Sequence, residues 1–189
     1  MKKVVVFLLI IVICFSLSAC GNKIENLIAD IETLENEEIT LEDECRIDKI
    51  YDKYLALSEE DKMKITNYNI LETASKRVNY LSAQEDTIRD APQVVEEYIK
   101  SRLKIPSAMQ VIKTQVYASK ESCYEAFVRM QYTGENAFGG KVEETCFAHV
   151  RIMGAGYNDI LDSHFGDAHE TWDNVGWSDH TMEEIDFES

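Results

Sequence analysis

Basic residues are scarce in this sequence of 189 residues. Lys and Arg together number 19 against 35 Asp and Glu, so the net charge at pH 7 is −16. Because such a chain is repelled by the phosphates of nucleic acids and by anionic lipid headgroups, nucleic-acid binding is excluded. A solvated, soluble surface explains this acidity more simply than a dedicated cation-binding role does.

Several motifs of common enzyme and metal sites are also missing. The chain has no CxxC, HExxH or paired Cys/His spacing of a zinc site. It has no serine in a nucleophile elbow, no Gly-rich phosphate loop after a strand, and no local Lys-Ser or Cys-His constellation. The acidic clusters Glu42 to Glu44 and Glu59 to Asp61 fall at expected helix starts, where the helix dipole favours negative charge. We therefore expect no enzymatic activity, no catalytic residue and no cofactor.

The longest hydrophobic run is too short to span a membrane. Residues 1–22 consist of two lysines, an apolar run from Val4 to Phe15, and small residues that lead to Cys20. A spanning helix needs roughly 20 apolar residues, and here Ser16 and Ser18 break the run. This three-part layout is that of a secretory signal.

The end of this segment, Leu17-Ser18-Ala19-Cys20, resembles the lipobox of bacterial lipoproteins. The resemblance implies a signal peptide of residues 1–19, attachment of palmitate or similar acyl chains to Cys20, and a position on the outer face of the cell membrane. The anchor would then be the membrane contact, and the chain itself would need no membrane-binding surface. A plain secretory signal with a free product is the alternative. Loss of Lys2 and Lys3 leaves 17 basic residues against 35 acidic ones, a net charge of −18.

Apolar residues recur at helical spacing from Lys23 to about Gln84, which predicts a small helical bundle over residues 20–84. The three stripes are Ile24, Leu27, Ile28, Ile31 and Leu34; Leu41, Cys45, Ile47, Ile50, Tyr51, Tyr54 and Leu55; and Met63, Ile65, Ile70, Leu71, Ala74, Val78 and Leu81. Thr40 with Asp43, and Ser58 with Asp61, have the spacing of capping pairs that open the second and third helices.

Part of this bundle resembles a helical module repeated in surface proteins of Gram-positive bacteria. The residues that carry the resemblance are Ile39 to Glu42, Ile47, Ile50 to Lys62, Thr66 to Tyr68, and Leu71-Glu72, within residues 30–81. The resemblance implies a spacer or adhesion-associated bundle without catalytic residues. This copy is single where the family is often tandem, and it carries Cys45 on the apolar stripe. We expect Cys45 to be a buried free thiol that acts as a small hydrophobe.

The sequence pattern changes after the polar stretch Ser82 to Asp90. Pro92 predicts the first turn of a new helix, which Pro106 ends. Three runs with a period of two then predict antiparallel strands over Val111 to Tyr117, Cys123 to Tyr132 and Lys141 to Ile152. The fold class is therefore α+β: a helical bundle followed by residues 91–155, a helix packed on a three- to four-stranded antiparallel sheet.

The phase of the last two strands predicts their register. Tyr124, Ala126, Val128, Met130 and Tyr132 share one face, and so do Val142, Cys146, Ala148, Val150 and Ile152. These faces coincide only if opposed residue numbers have an even sum, and a turn centred near Ala137 predicts about 274, with Cys146 opposite Val128. Cys123 would then lie roughly 16 Å away at about 3.3 Å per residue, beyond the ~7 Å limit of a bridged pair. We expect no disulfide between Cys123 and Cys146.

This second region also resembles a known domain, one of uncharacterised function in Gram-positive lipoproteins and secreted proteins. The residues that carry the resemblance are Tyr98 to Lys100, Leu103 to Ala108, Asn136 to Val142, Phe147 and Val150. It implies a small cystatin-like or related fold without an established activity. The Met-Gln pair after Ala108 and the acidic Glu143-Glu144 depart from the family. Asn136, Phe138 and Gly139 fit turn chemistry better than a ligand-facing loop.

The acidic C-terminal segment, residues 156–189, suggests a different function, the binding of a divalent cation. From Gly154 onward the chain has no Lys or Arg, and its histidines lie among carboxylates that could bind a divalent cation. The residues concerned are Asp162, His164, Asp167, His169, Glu170 and His180. Their spacing matches no known loop, and Phe165, Trp172, Trp177 and Phe187 indicate that part of the segment packs.

The leading hypothesis is a non-catalytic surface lipoprotein that acts as a binding or interaction module and contacts an unknown protein or envelope partner. The alternative is a lipoprotein that binds or senses a divalent cation through its acidic, His-containing C-terminal segment. A small hydrolase of the cell wall is a third reading, which would require a deep pocket lined by ionisable groups.

Overall fold

The computed structural model describes residues 23–135, 139–154, 157–167, 171–172, 177 and 182–184, the last of these by backbone alone. The fold is α+β, which confirms the predicted class. The chain divides into two compact units, Met1–Asn79 and Tyr80–Ser189. Cys20 and the rest of the expected signal peptide lie outside the described residues. None of the helices within the described ranges is long and apolar enough to cross a membrane.

The first unit is helical. Helix α1 covers residues 23–32, α2 Glu44–Leu55 and α3 Glu59–Lys62, and α4, Tyr68–Arg102, begins in this unit. The core of the unit consists of Leu27, Ile31, Leu34, Ile47, Ile50, Ile65, Leu71, Ala74 and Val78. Both predicted caps form: the Thr40 N–H donates to Asp43 Oδ2 (3.0 Å), and the Asp61 N–H donates to Ser58 Oγ (3.2 Å). The Thr40 N–H holds the pKa of the Asp43 carboxyl below its usual value.

Three residues that were predicted to lie on buried apolar stripes are exposed. Leu55, the last residue of α2, is 52% exposed. Cys45 is exposed rather than buried, because the buried stripe of α2 is Ile47 and Ile50. Cys45 lies two residues before Ile47, which is about 200° around the helix. Met63 is 80% exposed because α3 ends at Lys62 and the third segment is not one continuous helix.

Helix α4 runs without interruption through the polar stretch Ser82 to Asp90 and contains Pro92 in its interior. The prediction of a separate helix that begins at Pro92 is therefore wrong. An interior proline costs about 3 kcal/mol, but Ile88, Ala91 and Val95 around it are buried in the core of the second unit, so packing outweighs the local preference. Helix α4 ends at Arg102, ahead of Pro106, as predicted.

The second unit places the C-terminal half of α4 on an antiparallel sheet. Its strands are β1 Gln110–Ser119, β2 Glu125–Glu135, β3 Lys141–Ile152, β4 Asn158–Asp167 and β5 Met182–Glu184, in the order β4-β3-β2-β1-β5. The three predicted strands are confirmed, and the bounds of β3 are those predicted. The sheet has five strands rather than three to four, because β4 and the short β5 come from the segment expected to be an acidic tail.

As predicted, even-numbered residues of β2 lie opposite even-numbered residues of β3. The sum of the opposed residue numbers is two larger than predicted. Opposed residue numbers sum to 276, so Cys146 lies opposite Met130 and not Val128. The side chains of these even positions are buried together with Val95 and Ile99 of α4. Tyr124 precedes β2 and is 51% exposed, so its predicted burial is wrong. Cys45, Cys123 and Cys146 all carry free thiols, in agreement with the predicted absence of a disulfide.

Candidate functional site

The face of the sheet opposite α4 is rich in aromatic rings. Side chains alternate along a strand, so the odd-numbered residues of β2 and β3 point away from the helix. We call this surface the aromatic face; its rings are Tyr117, Phe127, Phe147, His149, His164, Trp172 and Trp177. Phe127 and Phe147 are buried, although α4 does not cover them. This second apolar layer indicates that the face is covered from the other side.

Two tryptophans supply part of this cover. They lie in the sequence between β4 and β5, which form the two opposite edges of the sheet. The Trp172 ring meets Phe147 edge-on at 5.0 Å between ring centroids and Tyr117 at 5.2 Å. Trp177 stacks on Trp172 at 5.6 Å and meets Phe127 edge-on at the same distance. Both tryptophan side chains remain partly exposed, so their rings can still be reached from solvent.

Planar polar side chains border the rings. Arg129 Nη1 donates to Gln115 Oε1 (2.9 Å), and its guanidinium lies 5.7 Å from the Phe147 ring. Gln131 Nε2 donates to Glu143 Oε1 (2.6 Å). These contacts fix the orientation of the Gln131 amide and of the Arg129 guanidinium on the aromatic face.

Thr133, Thr145 and Trp172 on this face each bury a polar atom that has no hydrogen-bond partner among the described residues. These atoms are Thr133 Oγ1, Thr145 Oγ1 and Trp172 Nε1. Thr145 is 0% exposed, and it lies two residues before Phe147 on the same face. A buried polar group that lacks a hydrogen-bond partner lowers the free energy of unfolding by about 1–3 kcal/mol. These atoms could still accept or donate hydrogen bonds.

A charged cluster marks the end of the aromatic face near the start of β2. The Glu125 carboxylate accepts from Arg151 Nη2 (2.7 Å) and lies 2.9 Å from His149 Nε2. Burial opposes ionisation of Glu125, yet the bonds from Arg151 and His149 hold the pKa of its carboxyl below the usual value. The His149 ring stacks on Phe127 at 4.3 Å. The cluster therefore positions one aromatic wall of the face.

The residues of the cation hypothesis are only partly brought together. Asp162 lies opposite His149 in the register, and His164 lies opposite Phe147 with its ring 6.2 Å away. Across the described ranges, no group of three or more His, Cys, Asp and Glu is placed to hold a metal ion. His169, Glu170 and His180 lie outside those ranges, as do Asn136 and Phe138. Gly139 has a φ of +79°, in keeping with the predicted turn chemistry.

A cleft of about 460 Å³ in the helical unit is a weaker candidate. It lies between α1 and the junction of α2 with α3, over Leu27 and Leu57. Three of its four charged groups have partners: Lys53 bonds Asp30 at 2.7 Å, and Asp61 bonds Lys64 at 2.7 Å. The aromatic face, with its unused polar atoms, is the stronger site.

No family model, curated protein or solved structure matches the chain. The resemblances to the helical module and to the cystatin-like domain therefore stay predictions. The aromatic face itself was missed by the sequence reading, which followed only the even-numbered residues. The odd-numbered aromatics of the same strands, Tyr117, Phe127 and Phe147, carried the signal that a second layer covers the sheet.

Proposed function

We propose that this chain is a non-catalytic lipoprotein, anchored outside the cell through acyl chains on Cys20, that acts as a binding module of the cell envelope. The observation that carries the proposal is the Leu17-Ser18-Ala19-Cys20 motif at the end of a short apolar run. A thiol at this position is what lipid attachment requires, and the run is too short to hold the chain by spanning the bilayer.

The arrangement of the described residues supports separate roles for the anchor and for the contact surface. Helix α1 is already formed at Lys23, three residues after Cys20, so the anchor leads directly into the helical unit. The aromatic face lies in the second unit, on the part of the chain farther from the anchor in sequence. We assign the helical unit the role of a spacer and the aromatic face the role of the contact surface.

The anchor is tested by metabolic labelling with an alkyne analogue of palmitate in a Gram-positive host. Cys14 provides a matched control, because it lies in the same apolar segment but outside the motif. We expect the wild type and Cys14→Ser to be labelled and to fractionate with membranes. Cys20→Ser should carry no label. Label retained by Cys20→Ser, or recovery of wild type as a free unlabelled product, would overturn the proposal.

A further inference from the structure

We infer that the uncovered edge of β1 is a docking surface for the chain's own C-terminal segment, residues 185–188, which continue β5 along that edge. These residues follow β5 in the sequence and lie outside the described residues. The docked segment closes the edge, so that β1 no longer accepts a strand from another molecule. The inference goes beyond the proposed function and holds whether or not Cys20 is acylated.

Most of the outer edge of β1 is uncovered. Among the described residues, β5 pairs only with Tyr117 to Ser119, so Gln110 to Val116 have no neighbouring strand on that side. Val111 and Ile112 in this stretch are 41% and 50% exposed, whereas Val116, next to the part that β5 covers, is buried. An unpaired edge strand presents backbone N–H and C=O groups to which another strand can pair. The exposed apolar residues and the free edge therefore mark the same stretch as a docking surface for a strand.

The register between β1 and β5 selects the occupant. Opposed residue numbers sum to 301, with Tyr117 opposite Glu184 and Ser119 opposite Met182. Continued without a bulge, this register places residues 185–188 opposite residues 113–116. The segment follows β5 directly in the chain, so no further loop has to close before it pairs. A strand from a separate molecule would lose its translational and rotational freedom on binding.

The sequence of the segment matches the positions that this register assigns. Ile185-Asp186-Phe187-Glu188 alternates apolar and acidic residues, which is the period of a strand with one covered face. In the extended register Ile185 lies opposite Val116, which is buried in the core of the second unit. Phe187 falls on the same face, two residues further along. Both apolar residues of the segment thus continue the buried face of the sheet.

Charge complementarity supports the same pairing. The chain is acidic, yet residues 98–120 contain no Asp or Glu and include five basic residues. Lys113 is exposed and forms no salt bridge with a described residue, and Glu188 falls opposite it in the extended register. A second copy of the chain fits less well. Full antiparallel pairing of two Gln110 to Val116 stretches would place Lys113 opposite Lys113, and like charges directly opposite each other are destabilising.

The test measures disulfide formation in the lipid-free chain, residues 20–189, which keeps every described residue. Cys20→Ser, Cys45→Ser and Cys123→Ser remove the competing thiols, and Cys146 stays because it is buried. After mild oxidation, mass spectrometry of peptides from a digest without reductant identifies which introduced thiols have joined.

Two pairs of introduced cysteines report on the register. Gln115→Cys with Asp186→Cys joins positions that the inferred register opposes, about 5 Å apart between Cα atoms, which suits a disulfide. Gln115→Cys with Glu188→Cys is the matched control, since its positions are two residues out of register and roughly 8 Å apart. The loops that the two disulfides close are almost equal in length, so a segment not held in register would join both pairs at similar rates. We expect the first pair to join about tenfold faster or more.

Hydrogen exchange tests the same closure without introduced cysteines. A chain that ends at Glu184 loses only residues 185–189, all of them outside the described ranges. We expect edge-facing amides within residues 113–116 to exchange about tenfold faster or more in this chain, because the segment no longer accepts their hydrogen bonds. Amides of β3 should be unaffected, since β2 and β4 cover both of its edges. This comparison decides the question if a cysteine variant fails to fold.

Three results would overturn the inference. They are similar joining rates for the two cysteine pairs, a disulfide between two molecules rather than within one, and unchanged exchange of β1 in the chain that ends at Glu184. A disulfide between two molecules would assign the β1 edge to a second copy of the chain instead.

Discussion

The proline inside α4 allows a direct test of the continuous helix. Pro92 has no N–H to donate to the carbonyl of Ile88, and an interior proline is about 3 kcal/mol less favourable than alanine. Pro92→Ala restores this bond. It also returns freedom to the unfolded chain, which offsets about 0.4–1 kcal/mol of the gain. The net expectation is an increase in the free energy of unfolding of about 2 kcal/mol.

Urea denaturation followed by tryptophan emission measures this change in the unit that contains Pro92, since both tryptophans belong to that unit. With a slope of about 2 kcal/mol per molar urea, the midpoint should rise by about 1 M. Gln93→Ala is the control, because Gln93 is exposed and bonds only Glu97 in the described contacts (3.2 Å); its midpoint should stay within about 0.3 M. If a separate helix instead began at Pro92, proline would suit its first turn and Pro92→Ala would leave the midpoint unchanged or lower it.

Three further outcomes follow from the described contacts. Burial raises the pKa of the Cys146 thiol to about 12, so alkylation of the native protein should modify Cys45 and spare Cys146 until urea unfolds the chain, as peptide mass spectrometry would report. Thr87→Val should lower the free energy of unfolding by about 1–2 kcal/mol, because the buried hydroxyl bonds a carbonyl before β2 (2.8 Å), whereas Thr73→Val, at an exposed site, should cost less than about 0.5 kcal/mol. Calorimetric titration with zinc, manganese and calcium should give no saturable micromolar binding; binding that His164→Ala abolishes would favour the cation hypothesis instead.

Strand positions could be predicted where burial imposes a strict period. In β3 the even-numbered residues from Cys146 to Ile152 are all buried, and the bounds of the strand follow directly from the sequence. The parity of the β2–β3 register follows too, because a slip by one residue would turn every apolar side chain to the other face. The sum of the opposed residue numbers depends on the length of the loop between the strands. Periodicity does not encode that length, so the predicted sum was two too small.

Edge strand β4 could not be predicted, for a different physical reason. Only one of its faces is covered, and a register irregularity beside Ile160 interrupts the alternation. The acidic residues Asp159, Asp162 and Asp167 occupy exposed positions there. In composition such a strand resembles a solvated tail, although acidic side chains and a bulge are common means of protecting a sheet edge from aggregation.

The aromatic face lay beyond the sequence reading because its parts are far apart in the chain. Tyr117 and Trp172 meet only after four strands have paired, and neither residue has a local pattern that identifies the other. The helical errors have a local origin: Cys45 lies on a different side of α2 from Ile47, and Met63 lies beyond the end of α3.

The position of β5 implies an order of folding. Strands β1 to β4 pair with their neighbours in sequence and can form as successive hairpins while the chain is being made from its N-terminus. The C-terminal end of β1, by contrast, pairs with β5, so Tyr117 has no partner on that edge until Glu184 has been synthesised. Until synthesis reaches β5, a nascent chain exposes this part of the β1 edge, and an unpaired strand edge is a site at which chains can associate.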